Sequence, residues 1–280
     1  MPELPEVEHA RRSLERWMKG SRIDAVRVAD SRILDEGVRP ATVVRALEGR
    51  KVVAIERRGK WLRIVLDRGR VFSHLGMTGK WVRARTAKGR EDDAPVRFEK
   101  VAIDVLVGKS ASRRSIRYLD PRLFGRFVVV PRDGDDLAVW TSLGPDPLLD
   151  GIDVDVLLAK LARRRLPIKP TLLDQTVLAG VGNIQATEAL FFARVDPRRP
   201  SSSLSRKEVA AISRGIMKTI HKTIAMQPLG EEISYVEEPN VVNPFTIYGR
   251  EGTPCPRCKK PLGKLILGGR GTVLCVSCQR

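Results

Sequence analysis

The four cysteines of this 280-residue chain all lie beyond residue 254, at Cys255, Cys258, Cys275 and Cys278. They follow the pattern C-x2-C-x16-C-x2-C. A CxxC knuckle presents two thiolates to one point, and two knuckles at this separation surround one tetrahedral zinc ion. The cysteines therefore argue for a small folded module rather than for metal catalysis. Because protein fills all four positions and leaves none for water, the expectation is one structural zinc per chain. Two disulfides are the other use of four cysteines, and a reducing cytosol disfavours them.

The rest of the chain changes character near Gly144-Pro145-Asp146-Pro147, which reads as an interdomain linker. Before it, short runs such as Val52–Ile55, Trp61–Leu66, Val71–Leu75, 101–107, 115–119 and 126–131 alternate with turn signals. That is the pattern of a β-sandwich. Residues 86–97 are polar and read as an exposed loop. After the linker, helical spacing covers 153–164, 168–173, 183–193 and 205–226, the last opened by Ser205 and Glu208 as a capping box. Three domains are expected: 1–146, 147–240 and 241–280.

Lys and Arg number 51 against 33 Asp and Glu, a net charge of +18. An excess of this size points to a polyanionic partner, most often nucleic acid, with a membrane surface as the other candidate. No stretch approaches the roughly 20 apolar residues of a membrane span. The acidic start is unlike a signal peptide, so a cytoplasmic location is expected.

The chain opens Met1-Pro2-Glu3-Leu4-Pro5-Glu6-Val7-Glu8. Removal of Met1 would leave Pro2 as a secondary amine, able to attack a sugar aldehyde carbon and form an iminium. Leu4, Val7, Leu14, Trp17 and Met18 recur at helical spacing, so residues 5–19 read as an amphipathic helix. Its positive end would favour the neutral, nucleophilic amine. Glu3 and Glu6 are carboxylates available nearby for proton transfer, or else they complement the helix dipole with Glu8.

Other motifs follow in order: Arg58-Gly59-Lys60-Trp61-Leu62, His74-Leu75-Gly76-Met77-Thr78-Gly79, Asp120-Pro121-Arg122-Leu123-Phe124-Gly125, Leu173-Asp174-Gln175, Gly180-Val181-Gly182-Asn183-Ile184, and Gly268-Gly269-Arg270-Gly271 inside the cysteine module. Taken singly, Lys60 could be a solvated turn lysine, Met77 core filler and Asn183 a helix cap. Together with the opening, their order and spacing resemble the bacterial formamidopyrimidine-DNA glycosylase family, which includes endonuclease VIII, over residues 2–280. Leu4 fits the formamidopyrimidine branch better than the endonuclease VIII branch, which usually has glycine there.

The resemblance implies an α+β multidomain fold: an N-terminal β-sandwich with flanking helices, a helix–two-turns–helix module and a zinc finger. It implies a base-excision repair enzyme that removes oxidised purines (8-oxoguanine, formamidopyrimidines) and cleaves the abasic site by β,δ-elimination. Pro2 would be the nucleophile at the sugar C1′, Glu3 the adjacent acid, and Glu6 a support to the same site. Lys60 would contact the DNA backbone beside the lesion. Met77 would wedge into the duplex, Arg122 face the base left unpaired, and Phe124 stack beside it. His74, Asn183 and Arg270 would join Lys60 in gripping the backbone around the extruded nucleotide. The implied partner is duplex DNA carrying oxidised bases or abasic sites, bound by a monomer in the cytoplasm at the nucleoid.

Three departures from the family pattern stand out. Leu123 replaces a common arginine, Gln185 and Thr187 replace an aromatic and a small or acidic residue, and the lesion-capping loop near 227–232 is acidic and carries Pro228. The last puts preference for 8-oxoguanine in question. An endonuclease VIII-like lesion preference, a non-catalytic damaged-DNA binder and a zinc-ribbon transcription protein are the alternatives. The last explains neither the opening motif nor the Met77, Arg122 and Phe124 set.

Overall fold

The computed structural model describes residues 2–84, 96–108, 112–227, 233–236, 238 and 241–280. Most of the loop expected at 86–97, and residues 228–232 of the acidic loop, lie outside the described residues. The chain packs as two compact units. One holds Pro2, Glu6–Thr141 and described residues of 227–235. The other holds Glu3–Pro5, Ser142–Met226 and described residues of 236–280.

The first unit is a sandwich of two antiparallel four-stranded sheets. With β1 (Arg22–Val28), β5 (Lys80–Arg83), β6 (Glu99–Val107) and β7 (Ser112–Leu119), one sheet runs β1-β6-β7-β5. With β2 (Val52–Arg58), β3 (Trp61–Leu66), β4 (Arg70–His74) and β8 (Arg126–Val130), the other runs β2-β3-β4-β8. Alternate residues of both sheets, among them Ile55, Ile64, Val71, Ile103, Ile116 and Phe127, fill one core. Helix α1 (Leu4–Met18) adds Val7, Leu14, Trp17 and Met18 to that core. It is laced outside by Glu15 pairs with Arg11 and Lys19 at i,i+4 spacing. Gly20, at φ +81°, ends it.

Two short helices, α2 (Pro40–Leu47) and α3 (Ala138–Thr141), complete the unit. The sequence reading took 21–130 as strands and turns and did not foresee α2. With only eight residues and two adjacent valines, its helical face reduces to Val43 and Leu47, which is indistinguishable from a short buried strand.

The second unit is helical. It comprises α4 (Val154–Ala162), α5 (Ile168–Leu173), α6 (Asn183–Ala193) and α7 (Arg206–Ala225), followed by a hairpin of β9 (Gly263–Leu267) and β10 (Arg270–Leu274). Leu157, Leu161, Leu172, Leu190, Ile212, Ile216 and Ile220 form its core, joined by Leu4. The capping box at Ser205 and Glu208 is present. Helices α6 and α7 pack closely because Gly215 faces Ala189, and a Cβ at 215 would stand 2.9 Å from the Ala189 Cα. The hairpin module packs Ile247, Leu262 and Val273 against Phe191 of α6. Glu188, on the same helix, accepts the backbone N–H groups of Thr246, Ile247 and Tyr248.

Candidate functional site

In the first unit, Pro2 and Glu6 are buried and Lys60 is half-buried. Lys60 sits in the two-residue β2–β3 turn, because Arg58 pairs with Trp61. Gly59 occupies the first turn position at φ +57°, as a II′ turn requires.

His74 closes β4. Its Nδ1 accepts the Gly76 N–H at 3.0 Å, and its ring lies 4.9 Å from the Trp61 ring. Burial, helped by the Lys60 and Arg126 charges, pulls its pKa from 6.5 down to about 4. His74 is therefore a neutral ring at pH 7, with Nδ1 used internally and its proton on Nε2. It offers a backbone phosphate a neutral donor rather than a cation.

The sign of the pH dependence follows. The unfolded chain protonates this histidine near 6.5 and the folded chain only near 4, so stability contributed by the neutral ring is lost as pH falls from 6.5 toward 4. An NMR titration of the imidazole should place its midpoint near 4, and a midpoint near 6.5 would refute the buried neutral ring.

Two loops of this unit are fastened to each other. Asp120 is fully buried. One of its oxygens accepts from the Thr78 hydroxyl at 2.9 Å and the Arg122 N–H at 3.2 Å, and the other from the Gly125 N–H at 2.8 Å. Gly76, at φ +60°, lies against the Phe124–Gly125 peptide with no room for a Cβ. The Met77 loop and the Arg122–Phe124 loop are thus joined by the Thr78–Asp120 bond and by the close approach of Gly76 to the Phe124–Gly125 peptide. Phe124 is 52% exposed, and the Arg122 guanidinium lies 4.9 Å from its ring centroid. Leu123, between them, is held at φ +54°, a left-handed conformation that a branched side chain rarely adopts.

In the second unit, Glu3 accepts the Ile184 N–H at 2.8 Å and the Gln185 N–H at 3.0 Å. These are unsatisfied donors in the first turn of α6, so a distant carboxylate caps this helix in place of a local side chain. Gly182 is required for the contact, since a Cβ there would overlap the Glu3 carboxylate. Gly180, at φ +88°, gives its carbonyl to the Leu4 N–H at 3.0 Å.

Gly182 admits the Glu3 carboxylate to the helix end. Asn183 is the first helical residue, not the cap, and its Nδ2 donates to the Gly271 carbonyl at 3.1 Å.

Gly271 adjoins Arg270, which is exposed at the hairpin tip after Gly268 and Gly269, both at positive φ. Lys169 holds the same tip, donating to the Gly271 carbonyl at 3.1 Å and the Thr272 hydroxyl at 2.6 Å. Burial lowers the Lys169 pKa to about 8, with the Glu3 charge opposing and the Arg270 charge adding to the fall. Sequence reasoning missed Lys169. Its one signal was a lysine between apolar neighbours in Ile168-Lys169-Pro170. The unpartnered, buried Gln185 carboxamide and Thr187 hydroxyl receive no explanation from the structure.

The four cysteine sulfurs lie within 4.8 Å of one another and form no disulfide. Cys255 and Cys278 Sγ are 4.0 Å apart, and Cys258 and Cys275 Sγ 3.4 Å. A tetrahedron with metal–sulfur bonds of about 2.3 Å has edges of roughly 3.8 Å, so the cluster fits one ion.

Comparison with known proteins extends over the whole chain. The formamidopyrimidine-DNA glycosylase N-terminal domain matches residues 1–127, and the formamidopyrimidine-DNA glycosylase H2TH domain matches residues 143–234. A formamidopyrimidine-DNA glycosylase of Geobacillus kaustophilus is 35% identical, with 100% of both chains covered. Among solved structures, Lactococcus lactis Fpg in complex with DNA containing N7-benzyl-Fapy-dG is 30% identical, with a TM-score of 0.83 and 100% of both chains covered. The same protein with abasic-site DNA is 29% identical, with a TM-score of 0.82 and 99% of each chain covered.

Proposed function

The chain belongs to the formamidopyrimidine-DNA glycosylase family, and from that premise we propose that it is a bifunctional glycosylase and abasic-site lyase acting on oxidised purines in duplex DNA. The observation that carries the reading is the fused platform of Met77, Arg122 and Phe124, whose two loops are locked by Asp120. Extruding a base costs a few kcal/mol of stacking. A wedge offsets that cost only if it keeps its shape under the load, and the buried carboxylate supplies the rigidity.

In the proposed reaction the Pro2 amine, freed by removal of Met1, adds to the sugar C1′ while the oxidised base departs with the bonding electrons and a proton. Ring opening gives an iminium between Pro2 and C1′. Loss of a C2′ proton then expels the 3′ phosphate, and a second elimination expels the 5′ phosphate. Glu3, fixed by two N–H donors, is the group assigned to proton transfer, with Glu6 in support. Lys60 and the neutral His74 Nε2–H are assigned to phosphate on one unit, and the exposed Arg270 on the other. Asn183, whose Nδ2 keeps a second N–H beside the one given to Gly271, is assigned to phosphate with Arg270. The four thiolates would hold a zinc ion whose part is to fold the knuckles; with all four positions taken by sulfur it contributes no chemistry. Solved Lactococcus lactis complexes with Fapy-dG and abasic-site DNA support this substrate class.

Borohydride trapping on one duplex with an abasic site and one with 8-oxoguanine opposite cytosine tests the reading. A covalent adduct at Pro2 is expected on both. An adduct on the abasic duplex alone would keep the lyase and move the lesion specificity to the acidic 227–232 segment. DNA binding without any adduct would favour the non-catalytic binder.

A further inference from the structure

A buried ion pair in the first unit serves neither the platform nor the proposed chemistry directly. Arg57, on β2, is 3% exposed with its side chain fully enclosed, and Glu8, in α1, is 4% exposed. The Arg57 Nε donates to Glu8 Oε2 at 3.0 Å. Its Nη1 donates to the Gly59 carbonyl at 3.1 Å. That carbonyl belongs to the peptide joining Gly59 to Lys60. Arg57 therefore grips the plane from which the Lys60 backbone starts. Glu8 in turn is six residues from Pro2 along the chain. It also accepts from Arg11 and Arg12, so its side chain is fixed from both directions. Burial pushes the Glu8 carboxyl up, but these hydrogen bonds and the Arg11 charge outweigh it and hold the pKa below the ordinary value.

Stability does not explain why a charged pair occupies this place. Desolvating two ions offsets most of their attraction, and well-packed apolar residues of similar volume are often as stable or more so. What an apolar pair cannot do is direct one N–H donor at the Gly59 carbonyl while anchored to the helix. Glu8 and Arg57 are 49 residues apart in sequence. Through them a charged link runs from α1 to the turn bearing Lys60.

We propose that Glu8 and Arg57 are positioning residues, setting the Lys60 turn in register with the start of α1 so that the Lys60 ammonium meets the phosphate beside the sugar that Pro2 attacks. The inference rests on the functional reading given above for Pro2 and Lys60.

The test compares wild type, the double variant Glu8→Met/Arg57→Met and the conservative variant Arg57→Lys. Three quantities are read on an abasic duplex: melting temperature, Kd, and the single-turnover borohydride-trapping rate at saturating DNA. The double variant should keep its melting temperature within a few degrees and its Kd within about threefold, while trapping slows at least about tenfold, a misplacement effect of ordinary size. Arg57→Lys should recover part of the rate, since it keeps a donor for Glu8. A double variant that traps at the wild-type rate would overturn the proposal. So would parallel losses of melting temperature, affinity and rate that Arg57→Lys restores together, because that marks a purely structural pair. If the double variant fails to fold, Arg57→Lys decides alone: a folded protein with wild-type rate overturns the proposal, and a slowed rate at unchanged Kd supports it. Failure of the functional reading itself looks different, since the wild type would then give no adduct.

Discussion

Gly182→Ala is expected to slow trapping on abasic DNA by about 10²-fold or more, the size usual for losing a placed acid–base group, while the protein remains folded. Gly182 has φ −126° and ψ −165°, which any residue adopts, so alanine brings no backbone strain. Its methyl group enters the space of the Glu3 carboxylate. Glu3 must swing away and give up the Ile184 and Gln185 N–H groups. Charged hydrogen bonds of this kind are worth roughly 1.5–3 kcal/mol each, so a fall of several degrees in melting temperature accompanies the loss of rate. Gly263→Ala is the control: its Cβ would find nothing nearer than 3.8 Å. Wild-type trapping by a folded Gly182→Ala protein would remove Glu3 from the chemistry.

Cys255→Ala is expected to abolish metal binding and lower the affinity for an abasic duplex by at least about 10²-fold. In zinc-finger peptides the apparent binding free energy of a structural zinc is about 10–16 kcal/mol, and that energy is folding energy. Without the ion, the Cys255 and Cys275 knuckles lose their junction, and the hairpin carrying Arg270 loses its base. Metal content measured beside Kd checks this, and a zinc-free protein with unchanged affinity would contradict it.

The elements that could be read from the sequence are those whose signals are local. Helices α1 and α7 announce themselves through apolar spacing and, for α7, through Ser205 and Glu208, whereas α6 is buried on every side and shows no such stripe. The cysteine cluster is legible because ligand spacing is a property of the chain alone. Helix α2 was too short to show a period. The contacts that define the candidate site were illegible for another reason. Thr78 and Asp120 are 42 residues apart, Glu3 and Ile184 181 apart, and Lys169 and Thr272 103 apart. Gly182 could be marked as a close-approach position but not assigned its neighbour, the Glu3 carboxylate. Lys60, Met77, Arg122 and Phe124 were singled out by resemblance, which names residues without giving the bonds that place them.

The left-handed Leu123 and the Asp120 carboxylate beneath it have a consequence for search. A probe whose shape is already fixed presents the same face to every base step it meets along a duplex. It gains nothing by adapting to one sequence over another, so the sorting of damaged from intact steps passes to the DNA. Steps already weakened in their stacking yield at lower cost and are held longer. Under the function proposed above, mechanical compliance is read first, and whatever chemical identity is checked comes after the nucleotide has left the helix.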